Sequence, residues 1–126
     1  MTMQEQLRTL IERNHAKLLD QLATVTRLLG GSDGGGTTLD AGRIVHAQSI
    51  THQLKGAAGT IGFGSIGAAA AALDDSLTMV LAQGRSIAAD QLERPLALLA
   101  ALQHVAEKTG PENSILYNAD LPGLAG

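Results

Sequence analysis

A chain of 126 residues has the length of one domain with one core. Apolar residues make up 44% but aromatics only 2%, so the core must be built from Leu, Ile, Val and much Ala, a mixture that suits close-packed helices better than a sheet. Cysteine is absent and the net charge is −3, which excludes a disulfide framework and a thiolate metal site and speaks against nucleic acid as a partner.

The first helix is expected over residues 3–29, where Leu7, Ile11, Leu18, Leu22, Val25 and Leu29 form one apolar stripe. Its start, Met1–Leu10, lacks a basic stretch followed by an apolar one, so no secretion signal is expected. Gly30–Gly36 (GGSDGGG) then reads as a flexible Gly-rich linker. Asp40 suits the N-cap of a second helix running to about Ile61. Gly62–Ser65 reads as a tight turn, with Ser65 as the next N-cap. The third helix is expected over Ile66–Gln83, with a stripe of Ile66, Ala69, Ala70, Leu73, Leu77, Val80 and Leu81, and it stops at Gly84. The fourth is expected over Asp90–Thr109, with Pro95 in its first turn or between a short helical piece and the main helix. Residues 110–126 show no period and read as an irregular or mobile tail. The longest apolar runs, such as Leu96–Leu102, are far too short to span a bilayer, so a cytoplasmic location and no membrane partner are expected. Four amphipathic helices with short connections imply an all-α, antiparallel up-down four-helix bundle over residues 1–109. Such a bundle closes on its own, so a monomer is expected.

On a helical wheel the second helix has Ala47, Ile50, Leu54, Ala58 and Ile61 together as its buried stripe. His52 falls roughly 160° from the centre of that stripe. Its wheel neighbours are Val45, Gln48, Ser49, Gly56 and Gly59, and Lys55 is one turn on. A glycine inside a helix costs about 1 kcal/mol relative to alanine. Two of them beside an outward imidazole therefore call for a reason, and bare backbone at Gly56 and Gly59 clears the approach to His52 for a large partner.

These residues carry a family likeness. His52–Asp75 (HQLKGAAGTIGFGSIGAAAAALDD) resembles the signature of histidine-containing phosphotransfer (HPt) domains: His-x-Leu-Lys-Gly, small residues, a Gly turn, then a helix reaching Leu and an acidic or amide residue. The resemblance implies that His52 accepts a phosphoryl group from an aspartyl phosphate on a receiver domain and passes it to another. The partners implied are the receiver domains of response regulators or hybrid kinases. The family's lysine matches Lys55, which would stabilise charge on the phosphate, and its permissive glycine matches Gly56. Its hydrogen-bonding residue on the next helix, commonly Gln or Glu, matches Asp74, whose shorter side chain leaves room for a bridging water. Mg²⁺ is then expected on the partner receiver, with no cofactor or metal held by this chain itself, which would be a phosphotransfer intermediate and not a kinase.

The chemistry fits these residue types. A free imidazole has a pKa of about 6.5 and is a good nucleophile near neutrality, provided its other nitrogen carries the proton. An acceptor on that N–H fixes the tautomer and stabilises the developing imidazolium. If the turn centres on Phe63, His52 lies eleven residues before it and Asp74 eleven after, so a hairpin brings them level. Val45, with Ala41 one turn before it, and Gln48, Ser49 and Gly59 are candidates for a docking surface around His52.

Other patterns fall away. Gly62–Gly67 is formally G-x-G-x-x-G but follows a helix, so it reads as an interhelical turn. Gly30–Thr38 has no lysine and is not a P-loop. His15, His46, His52 and His104 show no metal-ligand spacing. Two rival readings stay open. One is the phospho-accepting domain of a chemotaxis-type kinase, which requires an ATPase region not found among these residues. The other is a protein-interaction bundle in which His52 is never phosphorylated.

Overall fold

A computed structural model of the chain describes residues 2–30, 38–84 and 86–117. Residues 31–36 of the expected linker and 118–126 of the expected tail lie outside them. Four helices dominate: α1 (Met3–Gly30), α2 (Ala41–Ile61), α3 (Gly64–Leu81) and α4 (Glu93–Glu107). They form a helical bundle in which α1 packs on α2, α2 on α3 and α3 on α4, with α2 and α3 the most intimate pair. The α1–α4 seam is sparse and leaves a groove of about 770 Å³ between Leu19, Ala23, Thr26 and Gln103.

Two short strands add to this plan. Strand β1 (Thr38–Asp40) pairs antiparallel with β2 (Ser86–Ala88), Leu39 opposite Ile87, and so ties the chain before α2 to the chain after α3. A 3₁₀ turn (Ala89–Leu92) leads into α4, so the expected helix from Asp90 is a short helical piece followed by the main helix. Pro95 is the third residue of α4, inside the first turn, where its missing N–H costs no intrahelical bond.

The core is aliphatic, as the composition requires. Ile11, Leu18, Leu22, Val25 and Leu29 of the α1 stripe are buried, while Leu7 is half-buried. On α3 the buried apolar residues are Ile66, Ala70, Leu73, Leu77 and Val80, with Ala69 and Leu81 packed against them. The α2 stripe differs from expectation. Ile44 and Thr51 join Ala47, Leu54 and Ala58 in the core, and Ile50 and Ile61 are only partly covered. Thr51 tolerates burial because its hydroxyl donates to the Ala47 carbonyl (2.7 Å), leaving no unpaired polar atom.

The α2–α3 connection is a Schellman motif. Gly62 has φ +91°, its N–H donates to Gly59 O (3.4 Å), and the Phe63 N–H donates to Ala58 O (2.8 Å). Phe63 then turns inward as a core residue, its ring 5.5 Å from that of His15. The expected cap at Ser65 is corrected: α3 begins at Gly64, Phe63 occupies the cap position, and no side chain caps the helix. Helix α3 also ends two residues earlier than expected, at Leu81, with Gly84 in the turn beyond (φ +150°).

Residues 110–117 are irregular but anchored. After a 3₁₀ turn at Pro111–Asn113, the Ser114 hydroxyl donates to Ile61 O and the Ile115 N–H to Gly62 O (3.2 Å). The Tyr117 carbonyl accepts from Arg8 Nε (3.0 Å), and its hydroxyl donates to Glu12 (3.2 Å). This strap joins the α2–α3 turn to α1.

Candidate functional site

Helix α2 presents Gln48, His52 and Lys55 on the flank that faces α3. Asp74, just past the middle of α3, points back at them. His52 Nδ1 lies 3.0 Å from Asp74 Oδ2, and Lys55 Nζ lies 3.1 Å from the same oxygen. Gln48 Nε2 donates to Asp74 Oδ1 at 2.7 Å. Three donors from one helix thus converge on one carboxylate from the next.

Burial is divided unevenly within this group. The His52 side chain is 63% exposed, whereas that of Asp74 is 6% exposed. Lys55 is intermediate at 35%. Burial alone would raise the Asp74 pKa. Hydrogen bonds from His52, Gln48 and Lys55, together with the charge of Lys55, outweigh that and hold the carboxyl below its ordinary value. Asp74 is therefore ionised at neutral pH and can only accept. It follows that Nδ1 of His52 carries a proton, and the unprotonated nitrogen of the neutral ring is Nε2. Nε2 has no hydrogen-bond partner among the described residues.

The residues singled out from the sequence fall as follows. Gly56 and Gly59 are exposed, and a Cβ added at either would meet nothing within 4 Å. Neither glycine is needed for helix packing, so the cleared backbone beside His52 is real space. Val45 (52% exposed) and Ser49 are on the surface, and Ala41 is half-buried. Of the two arrangements left open for Asp74, direct acceptance and a bridging water, the structure has the direct bond, because the two helices approach closely enough for the shorter acid. Gln48, a candidate for the docking surface, is half-buried and bonded to Asp74. Its spacing, one turn before His52 on the same flank, was the available signal. Among the described residues no group of three or more His, Asp or Glu is arranged to hold a metal ion.

A family model, the Hpt domain, matches residues 2–108. The chain therefore belongs to the Hpt domain family, the phosphotransfer carriers of two-component signalling, whose members interact with receiver domains of response regulators or hybrid kinases. No curated protein and no solved structure matches the chain. Among the described residues, no helix is long and apolar enough to cross a membrane.

Proposed function

We propose that this chain is a phosphohistidine carrier that shuttles a phosphoryl group between aspartates of partner receiver domains through His52. One observation carries the reading: an exposed imidazole whose Nδ1 proton is held by a buried, ionised Asp74, beside backbone bare of side chains. Nε2 of His52 attacks the phosphorus of an aspartyl phosphate in line. The N–P bond forms, the bond from phosphorus to the carboxyl oxygen breaks, and the receiver's aspartate leaves with the electron pair. The Nδ1 proton stays on the ring, shared with Asp74 Oδ2, which offsets the positive charge that develops on the imidazole. The reverse sequence delivers the group to a second receiver.

Lys55 is tied to Asp74 at rest but is partly exposed, and an arriving phosphoryl group offers it more negative charge. Its role is to neutralise the phosphate oxygens. Gly56 gives steric access, and Val45, Ser49 and Gly59 line the surface on which the receiver docks. The receiver supplies Mg²⁺ and the remaining catalytic groups. The architecture that serves this is an antiparallel up-down bundle spanning residues 1–109. Its support is the packing of each helix on the next and the level meeting of His52 and Asp74 across the Phe63 turn. The carrier acts as a cytoplasmic monomer.

Incubation with a ³²P-labelled phospho-receiver tests this directly. Label should appear on the chain as acid-labile, base-stable phosphate and should be lost in His52→Gln. Undiminished labelling of that variant would place the acceptor elsewhere.

A further inference from the structure

We propose that Gln48 is a positioning residue for the phosphoacceptor: its amide holds Oδ1 of Asp74 so that Oδ2 stays fixed on the Nδ1 proton of His52. This rests on the function proposed above, and it takes Gln48 out of the docking surface and into the support of the reacting ring.

The geometry assigns the role. A carboxylate that accepts on only one oxygen is free to pivot about its last torsion, and its aim at the imidazole is loose. Here each oxygen has its own anchor. Oδ1 takes Gln48 alone at 2.7 Å, and Oδ2 takes His52 at 3.0 Å and Lys55 at 3.1 Å. Because an ionised carboxylate has no proton to give, the amide must present its NH₂ end. Gln48 and His52 are four residues apart on α2, so the strut and the ring it serves share one rigid element.

The strut matters most when the site is loaded. Lys55 carries a full positive charge on a long stem and is drawn toward a phosphoryl group, and its departure takes one bond from a carboxylate that is 6% exposed. A buried carboxylate that loses its partners tends to take up a proton or to shift. Gln48 is neutral and half-buried, so a phosphate does not attract it as it attracts Lys55. It keeps Asp74 charged and aimed while the imidazole carries its phosphate.

The test compares Gln48→Met, similar in length without a donor, with Gln48→Glu, which sets a second carboxylate against the first. Above neutral pH, ¹⁵N NMR of the His52 ring reads the tautomer without any partner. Potassium phosphoramidate then serves as a small phosphoryl donor that needs no docking surface. The Nδ1–H form should predominate in the wild type and fall in Gln48→Met and further in Gln48→Glu. Phosphorylation by phosphoramidate should slow roughly three- to tenfold in Gln48→Met, in line with the loss of one hydrogen bond of ordinary strength. In an Asp74→Asn background Gln48→Met should add no further loss, since the strut then has no carboxylate to hold. A wild-type tautomer and phosphoramidate rate in Gln48→Met, with transfer from a phospho-receiver alone impaired, would overturn the proposal and return Gln48 to the docking surface. If wild-type protein takes phosphate from neither donor, the proposed function fails, and the tautomer arm still decides what Gln48 does to the ring.

Discussion

At the scale of single residues, the site is governed by a charge kept in a nearly closed place. Asp74 is held ionised by its donors, with a pKa below its ordinary value, while in the unfolded chain it titrates near the usual value of about 3.9. Between those two values the unfolded state binds more protons, so the stability contributed by the Asp74 network is full above about pH 4 and fades as pH falls through the folded value. Urea denaturation of wild type and Asp74→Asn across pH 2–7 should show a stability gap that narrows below about pH 4. A gap constant with pH would mean that the donors do not depress the carboxyl. Gly56 is governed by space alone. Gly56→Leu should keep or raise helix content by circular dichroism, since leucine is the better helix former by up to about 1 kcal/mol. Receiver-driven labelling of His52 should nevertheless fall at least about tenfold, the cost of a side chain standing where the partner must come. Unchanged labelling would show that the bare backbone is not an access route. The His52–Asp74 pair was legible in the sequence because equal counts on either side of Phe63 fix which residues come level in a hairpin. The part of Gln48 was not, because a wheel gives direction but not which polar side chains reach across to the next helix.

At the scale of elements, one polar residue shifted the reading of α2. Leaving Thr51 out of the apolar stripe put the stripe's centre too far from α3. With Ile44 and Thr51 counted and the partly covered Ile50 and Ile61 left out, the centre moves toward α3 and His52 stands about 120° from it by the same 3.6-residue geometry. That smaller angle is what lets an exposed ring touch a buried acid. The three-residue strands and the strap left no periodic trace, so neither could be read in advance. The strap has a consequence at Gly62. An added Cβ there would lie 2.7 Å from Ile115 Cγ1 and 3.0 Å from Ser114 Oγ, on a backbone with φ +91°. Gly62→Ala should therefore lower stability by about 1–3 kcal/mol, from left-handed strain together with displacement of the strap. Part of that loss should return in an Ile115→Ala background, where the nearest atom is gone but the strain remains. Additive losses in urea denaturation would show that the strap does not press on the turn.

At the scale of the whole molecule, the bundle and its strap have different claims to the domain. The family match covers residues 2–108, and the four helices close the core within that span. Residues 110–117 lie beyond it, yet they bond to the Gly62 turn and to α1 at Arg8 and Glu12, which are far apart in sequence. Contacts to two separate elements of the bundle make the strap dependent on the folded core: it can hold both anchors at once only while α1 and the α2–α3 turn keep their places. The chain offers a clean probe of this, because Tyr117 is its only tyrosine and tryptophan is absent. Tyrosine fluorescence therefore reports the strap, and far-ultraviolet circular dichroism reports the helices. A small single domain unfolds as one unit, so the two signals should give the same midpoint and slope in urea. Tyr117→Phe removes the fluorophore, so it is followed by circular dichroism alone, where the midpoint should fall slightly through loss of the bond to Glu12. A fluorescence change that runs ahead of the helical transition would mean that the strap opens locally, and the cooperative unit would then end with α4.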